Sequence, residues 1–143
     1  MNKLVNYLVF AFFMCAALLV NAEQKFVKGD WDIHYIAFPA TFVEPDVAKN
    51  YQLIRSKYKG IVNISVLDNQ QNMKAQNAYV SGTAKNLLGQ RQELTFKKVE
   101  EGNAIYFLAQ FDYNDQEAFN FSVDVQRGDR TETIKFSKTF YVD

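Results

Sequence analysis

An all-β fold, an immunoglobulin-like antiparallel sandwich of about seven strands, follows from three observations. From Trp31 onward, short stretches rich in β-branched and aromatic residues alternate with clusters of Gly, Asn and Asp. Several of these stretches alternate apolar and polar side chains with period two, which gives a strand one dry and one wet face. Only one segment, between the first two strands, carries the signals of a helix.

Trp31 to Phe38 is the first predicted strand. The helix opens at Glu44-Pro45-Asp46, where proline suits the first helical position and acidic residues suit the positive helix end, and is expected to run to about Leu53. Val47, Tyr51 and Ile54 then share a face that covers the open end of the sandwich. Ile61 to Leu67 places Val62, Ile64 and Val66 on one side. Asp68 to Asn72 is polar and expected to be exposed. Asn77 to Lys85 and Arg91 to Val99 are less pure, the latter carrying Leu94 and Phe96 inward. The leucines of Asn86-Leu87-Leu88-Gly89-Gln90 between them are expected to plug one end of the core. Ala104 to Phe111 is apolar on both sides, with Ile105, Phe107 and Phe111 on one and Tyr106 and Leu108 on the other, so it belongs inside its sheet. Ala118 to Gln126 alternates most cleanly, and Thr131 to Val142 presents Ile134, Phe136, Phe140 and Val142 together. Glu101-Gly102-Asn103 and Arg127-Gly128-Asp129 have the chemistry of hairpin turns. That turn chemistry also accounts for the adhesion-like tripeptide Arg-Gly-Asp.

Residues 1–22 form a secretory signal: a basic start at Lys3, an apolar run from Leu4 to Val20 broken by Asn6, and an Asn21-Ala22 ending suited to cleavage. The alternative is a retained anchor, since the run approaches the about 20 residues that span a bilayer. Cys15, the sole cysteine, lies inside this segment and reads as an apolar filler. Residues 23–143 then form a single domain without a disulfide, placed in the periplasm or secreted. Their acidic and basic side chains nearly balance, which gives no support for nucleic-acid binding or for insertion into a membrane after cleavage.

His34, the only histidine, follows Asp32 by two residues on one strand, so both project from one face about 7 Å apart. A hydrolase would need Asp32 to orient His34 against a serine such as Ser56, Ser65 or Ser81. No Gly-x-Ser-x-Gly elbow is present, and no catalytic residue is assigned. No metal site or cofactor is expected, because one histidine falls short of a zinc set. Asp112 to Glu117 begins like a calcium loop but has Glu117 where glycine is required and Val123 where the closing glutamate belongs. Arg55-Ser56-Lys57-Tyr58-Lys59 is the one basic cluster and suits a phosphate or carboxylate, with Arg55 as the first binding candidate. Asn63-Ile64-Ser65 and Asn120-Phe121-Ser122 match a glycan acceptor pattern, but both fall within predicted strands.

The runs Asp32 to Phe38, Pro45 to Ala48, Arg55-Ser56-Lys57, Asn63 to Val66 and Asn86 to Gln90 together resemble an exported bacterial family known as domain of unknown function DUF4426. The resemblance covers nearly all of residues 23–143. It implies a small periplasmic or secreted β-sandwich protein of a Gram-negative bacterium and brings no activity with it. Binding residues are sought among the polar positions of these runs: His34, Tyr35, Arg55, Ser56 and Asn63, with Asn86 alongside. The expectation is a monomeric, non-enzymatic binding or accessory module of the cell envelope. It would engage an envelope protein or small ligand through the loop after the helix and a neighbouring sheet face. Its rivals are a hydrolase-type enzyme centred on His34 with Asp32, and a structural subunit of an envelope assembly.

Overall fold

The computed structural model describes residues 24–143; the predicted signal peptide and its cleavage point lie outside them. The domain is an antiparallel β-sandwich, as expected, built from β1 (Lys25–Lys28), β2 (Trp31–Pro39), β3 (Lys59–Asp68), β4 (Lys74–Ala75), β5 (Tyr79–Asn86), β6 (Arg91–Thr95), β7 (Lys97–Glu101), β8 (Ala104–Asp112), β9 (Glu117–Arg127) and β10 (Arg130–Phe140). One sheet runs β1-β2-β3-β8-β7, with β4 extending the β3 edge beyond β8; the other runs β10-β9-β5-β6. A 3₁₀ turn (Ala40–Phe42) and the helix α1 (Pro45–Asn50) lie in the crossover from β2 to β3.

Three hairpins, at Gly29-Asp30, Gly102-Asn103 and Gly128-Asp129, use the same two-residue turn. In each, glycine takes the first central position with φ near +60° (60, 57 and 61), the requirement of a type II′ turn. The last gives β9 and β10 a register of eleven pairs from Arg130↔Arg127 to Phe140↔Glu117. Gly60 answers a different need, because a Cβ there would lie 2.2 Å from Phe111 Cζ. Phe111 packs edge-on against Phe119, Phe121 and Phe140 at centroid distances of 5.0–5.3 Å. The main core between the sheets is built on this aromatic group together with Trp31, Ile33, Ile64, Val66, Val123 and Ile134.

Arg91 to Val99 departs from the single strand expected. β6 pairs with β5 in one sheet and β7 with β8 in the other, and Phe96 is the hinge residue between them. The main chain changes layers there without a loop, so one segment laces the sandwich together. β4, with two residues, is below the length at which a strand announces itself, and β1, with four, is at its lower limit.

The helix is shorter than expected. It ends in a Schellman turn in which Gln52, at φ 56°, holds the left-handed position usually given to glycine. The Leu53 N–H donates to the Ala48 carbonyl at 2.7 Å and the Gln52 N–H to that of Lys49 at 3.2 Å. Leu53 therefore folds back beside Ala48 rather than continuing the helix, and Ile54 turns out to solvent. The crossover covers the outer face of the first sheet, not an end of the sandwich. There Ala40, Val43, Ala48 and Leu53 pack on Ile61, Val99 and Leu108 as a second, smaller core.

Two further expectations are corrected. Leu87 and Leu88 plug nothing: they are 79% and 85% exposed at the tip of the β5–β6 connection. That loop is held by Asn86, whose Oδ1 accepts from the Leu88 and Gln90 N–H groups and whose Nδ2 donates to Gln90 and Glu117. Asp68 is buried, because its carboxylate accepts from the Gln70 N–H and the Gln71 amide and so ties the turn after β3.

A cleft under the crossover

Strand alternation divides the candidate residues between two faces. Tyr35 points into the sandwich, stacked between Phe26 at 5.3 Å and Phe136 at 4.4 Å. His34, Ser65 and Asn63 share the outer face of the first sheet, with His34 directly across from Ser65 and Asn63 flanked by Ile36 and Leu108.

Of the serines considered as partners for His34, the register brings Ser65 opposite. Its Oγ donates to the Ile105 carbonyl at 3.4 Å. The Asp32 carboxylate is taken by Asn69 Nδ2 at 3.0 Å and by Lys25 Nζ at 3.3 Å. These bonds to Asn69 and Lys25 hold its pKa below the usual carboxylate range against the opposing effect of burial. Asp32 thus fastens β1 and the turn after β3 to β2. His34 lines neither of the two clefts described below.

The basic cluster holds the crossover in shape. Arg55 Nε donates to the Val43 carbonyl at 2.7 Å and its guanidinium to that of Thr41 at 3.2 Å. Ser56 Oγ accepts from the Tyr58 N–H at 3.1 Å. Two other side chains bind the crossover down onto the sheet. Gln110 exchanges a pair of hydrogen bonds with the Ile54 main chain at 2.9 and 2.8 Å. Lys97 Nζ donates to the carbonyls of Tyr51 and Gln52, at the helix end where a cation is favoured.

Beneath this roof an apolar cleft of about 440 Å³, mouth included, separates Val43, Val47, Tyr51 and Leu53 from a floor containing Phe38, Ile61, Leu108 and Val99. The polar side chains lining it are Asn63, Tyr106, Glu101 and the Tyr51 phenol. Asn63 Oδ1 is buried and has no hydrogen-bond partner, the only such side-chain atom among the described residues. Burial first, and then the Glu101 charge, push the Tyr106 phenol above its ordinary pKa, so it stays protonated. Most of these residues escaped the sequence reading. The trace they left was Tyr106 and Leu108 on the second face of β8.

A second, more open cleft of about 670 Å³, its open mouth again included, lies at one end of the sandwich, lined by Tyr58, Asn86, Gln92, Asp112, Asn114 and Glu117 among others. Its polar groups largely serve the fold. Gln92 brackets the Asp112 main chain, Asp112 pairs with Lys59 at 2.7 Å, and Glu117 accepts from Asn114 and Asn86. Among the described residues no group of three or more His, Cys, Asp or Glu side chains is placed to hold a metal ion. Nor is any helix there long and apolar enough to cross a membrane.

The family model for a domain of unknown function, DUF4426, matches residues 25–143, and the chain belongs to that family. A crystal structure of a DUF4426 family protein from Pseudomonas aeruginosa is similar at 37% identity and a TM-score of 0.75, over 85% of this chain and 96% of that one. Two structures of FetP from uropathogenic Escherichia coli share the fold at 12% identity. A copper-bound variant has a TM-score of 0.59 over 85% of this chain and 91% of its own. The as-isolated protein, recombinantly expressed in the periplasm of Escherichia coli, has 0.58 over 84% and 94%. A search of curated proteins finds no match.

Proposed function

We propose that this DUF4426 protein is an exported, non-enzymatic binding module of the bacterial envelope that takes a small, largely apolar ligand in the cleft under the β2–β3 crossover. One observation carries the reading: Asn63, whose buried amide oxygen has no hydrogen-bond partner, lines an apolar cleft that opens on the protein surface. Buried polar groups are almost always paired, and ligand sites are where exceptions concentrate. The signal pattern of residues 1–22 supports export. Copper is not carried over from FetP, because this chain has a single histidine and no metal-holding cluster among the described residues. The hydrolase reading has Ser65 opposite His34 in its favour, but the Asp32 carboxylate is already held by Lys25 and Asn69. Against a structural subunit built on the free edge of β10, Lys138 turns inward onto the Ala37 carbonyl, the kind of charge that discourages edge pairing.

The test is titration of the purified mature protein with prodan, a neutral solvatochromic dye that has no hydrogen-bond donor. A blue-shifted emission that saturates is expected for the native chain. It should vanish in Val47→Trp and in Val99→Trp, which fill the cleft from its two walls, with circular dichroism confirming that each variant is folded. No saturable shift, or a shift unchanged in both filled variants, would rule the cleft out as the binding site.

A further inference from the structure

We infer that the ligand enters the cleft with a hydroxyl or amine donor leading, delivers it to Asn63 Oδ1, and leaves its apolar body across the mouth; neutral or cationic amphiphiles bind and carboxylates do not. This inference rests on the binding reading above and specifies its chemistry.

Three features of the cleft select that class. The first is the unpartnered acceptor itself. An amide oxygen already stripped of water lacks a bond that an arriving O–H or N–H restores, whereas an ether or alkane of the same shape leaves it unmade. The second is charge. None of the eleven lining residues is Lys, Arg or His, and the one ionised group is Glu101. An anionic head would meet an acceptor and a carboxylate, while Arg55 and Lys97, which reach the lining residues Val43 and Tyr51, are engaged there by main-chain carbonyls. Tyr106 stays protonated for the reason given above and adds no second negative charge. The third is width. The interior admits only about two water-sized groups, so a slender head fits and a branched one does not.

Water alone would be a poor occupant. An ordered buried water needs two to four polar partners, and most of the cleft's lining, Phe38, Val43, Leu53, Ile61 and Leu108 among it, is apolar. Among the lining residues Phe38, Val47 and Tyr51 are half-buried, and Phe42, 62% exposed, stacks on Phe38 at 6.5 Å. An alkyl or aryl body has a surface to lie on there.

The experiment is displacement of prodan by two isomers, 1-octanol and heptyl methyl ether, which differ in the donor but not in composition, with octanoate as the anionic arm. Octanol is expected to displace the dye about 5- to 150-fold more effectively than the ether, the span set by satisfying one buried acceptor, and octanoate is expected to fail. In Asn63→Leu the ratio between the isomers should collapse to within about twofold. Equal displacement by the two isomers in the native chain would mean that Asn63 meets water only and would overturn the inference while leaving the cleft in place. A ratio that persists in Asn63→Leu would also overturn it, by sending the donor elsewhere. Absence of any saturable dye binding is the separate outcome that defeats the binding reading itself.

Discussion

Asn63→Leu is expected to make the protein more stable. In the native chain the Asn63 Oδ1 atom has lost its water and gained no partner, a condition that costs about 1–3 kcal/mol. Leucine has nearly the same shape, carries no acceptor, and would sit between Ile36 and Leu108 on the same face. Because the residue as a whole is only partly buried, little apolar burial is added, and about 1–2 kcal/mol is the expected gain. For a domain of this size that raises the melting midpoint by roughly 3–10 °C. Urea unfolding followed by circular dichroism should show a higher midpoint with an unchanged slope, since the surface exposed on unfolding is the same. Asn63→Ala is the companion variant, because it removes the acceptor but leaves a space and should be close to neutral. A leucine variant less stable than the native chain by 1 kcal/mol or more would show that Oδ1 is satisfied in solution. A gain in stability with a loss of ligand preference is the pattern expected where binding, not folding, retains a polar group.

Two more outcomes follow from contacts between elements. Arg130 lies 3.7 Å above the Trp31 ring and donates to the Lys28 carbonyl at 2.6 Å, joining the start of β10 to the β1–β2 hairpin. Arg130→Ala should cost about 2 kcal/mol in urea unfolding, and Arg130→Lys should recover little of it, since an ammonium neither stacks flat nor forks. Asp32, with its pKa held down in the folded state, contributes stability that is fully present above the unfolded carboxylate range and is lost as pH falls through the lower folded value. Native and Asp32→Asn proteins should therefore differ in unfolding midpoint at pH 7, and the difference should begin to shrink only as pH falls below about 4. Parallel curves over that range would contradict the assignment.

Much of the sandwich was legible because its strands are wet on one side. Ala118 to Gln126 announces β9 through strict alternation, and its inward residues Phe119, Phe121, Val123 and Val125 are all core. The break at Phe96 left a subtler trace, a slip of phase. Leu94 and Phe96 face the main core, whereas Val99, an odd number of residues on, joins the smaller one. Leu87 and Leu88 misled because apolar character does not say where a residue lies once a side chain such as Asn86 has bonded the turn outward. The site was only half readable. Asn63 stands out in the resemblance to the family, but none of residues 55–59, the loop expected to bind, lines the cleft. Arg55 has the chemistry of an anion binder, yet the carbonyls of Val43 and Thr41 claim its donors. A missing hydrogen bond such as that of Asn63 Oδ1 has no sequence signature, because it is defined by what three other strands and the crossover do not supply.

The passage of one segment from β6 straight into β7 bears on how the domain assembles in time. A loop between two layers lets one form while the other is still searching; a continuous strand does not. β7 pairs with β8 across the two-residue Gly102-Asn103 hairpin, so seating that hairpin in its sheet brings β6, one residue away at Phe96, to β5 in the other. The pairing of β3 with β8, Lys59 against Asp112 at its end, is itself a distant closure, of the kind that slows folding to milliseconds or seconds. Native-state hydrogen exchange should then find the central strands β3, β8, β5 and β9 opening together with one free energy, both layers behaving as a single cooperative unit with no half-formed sandwich between.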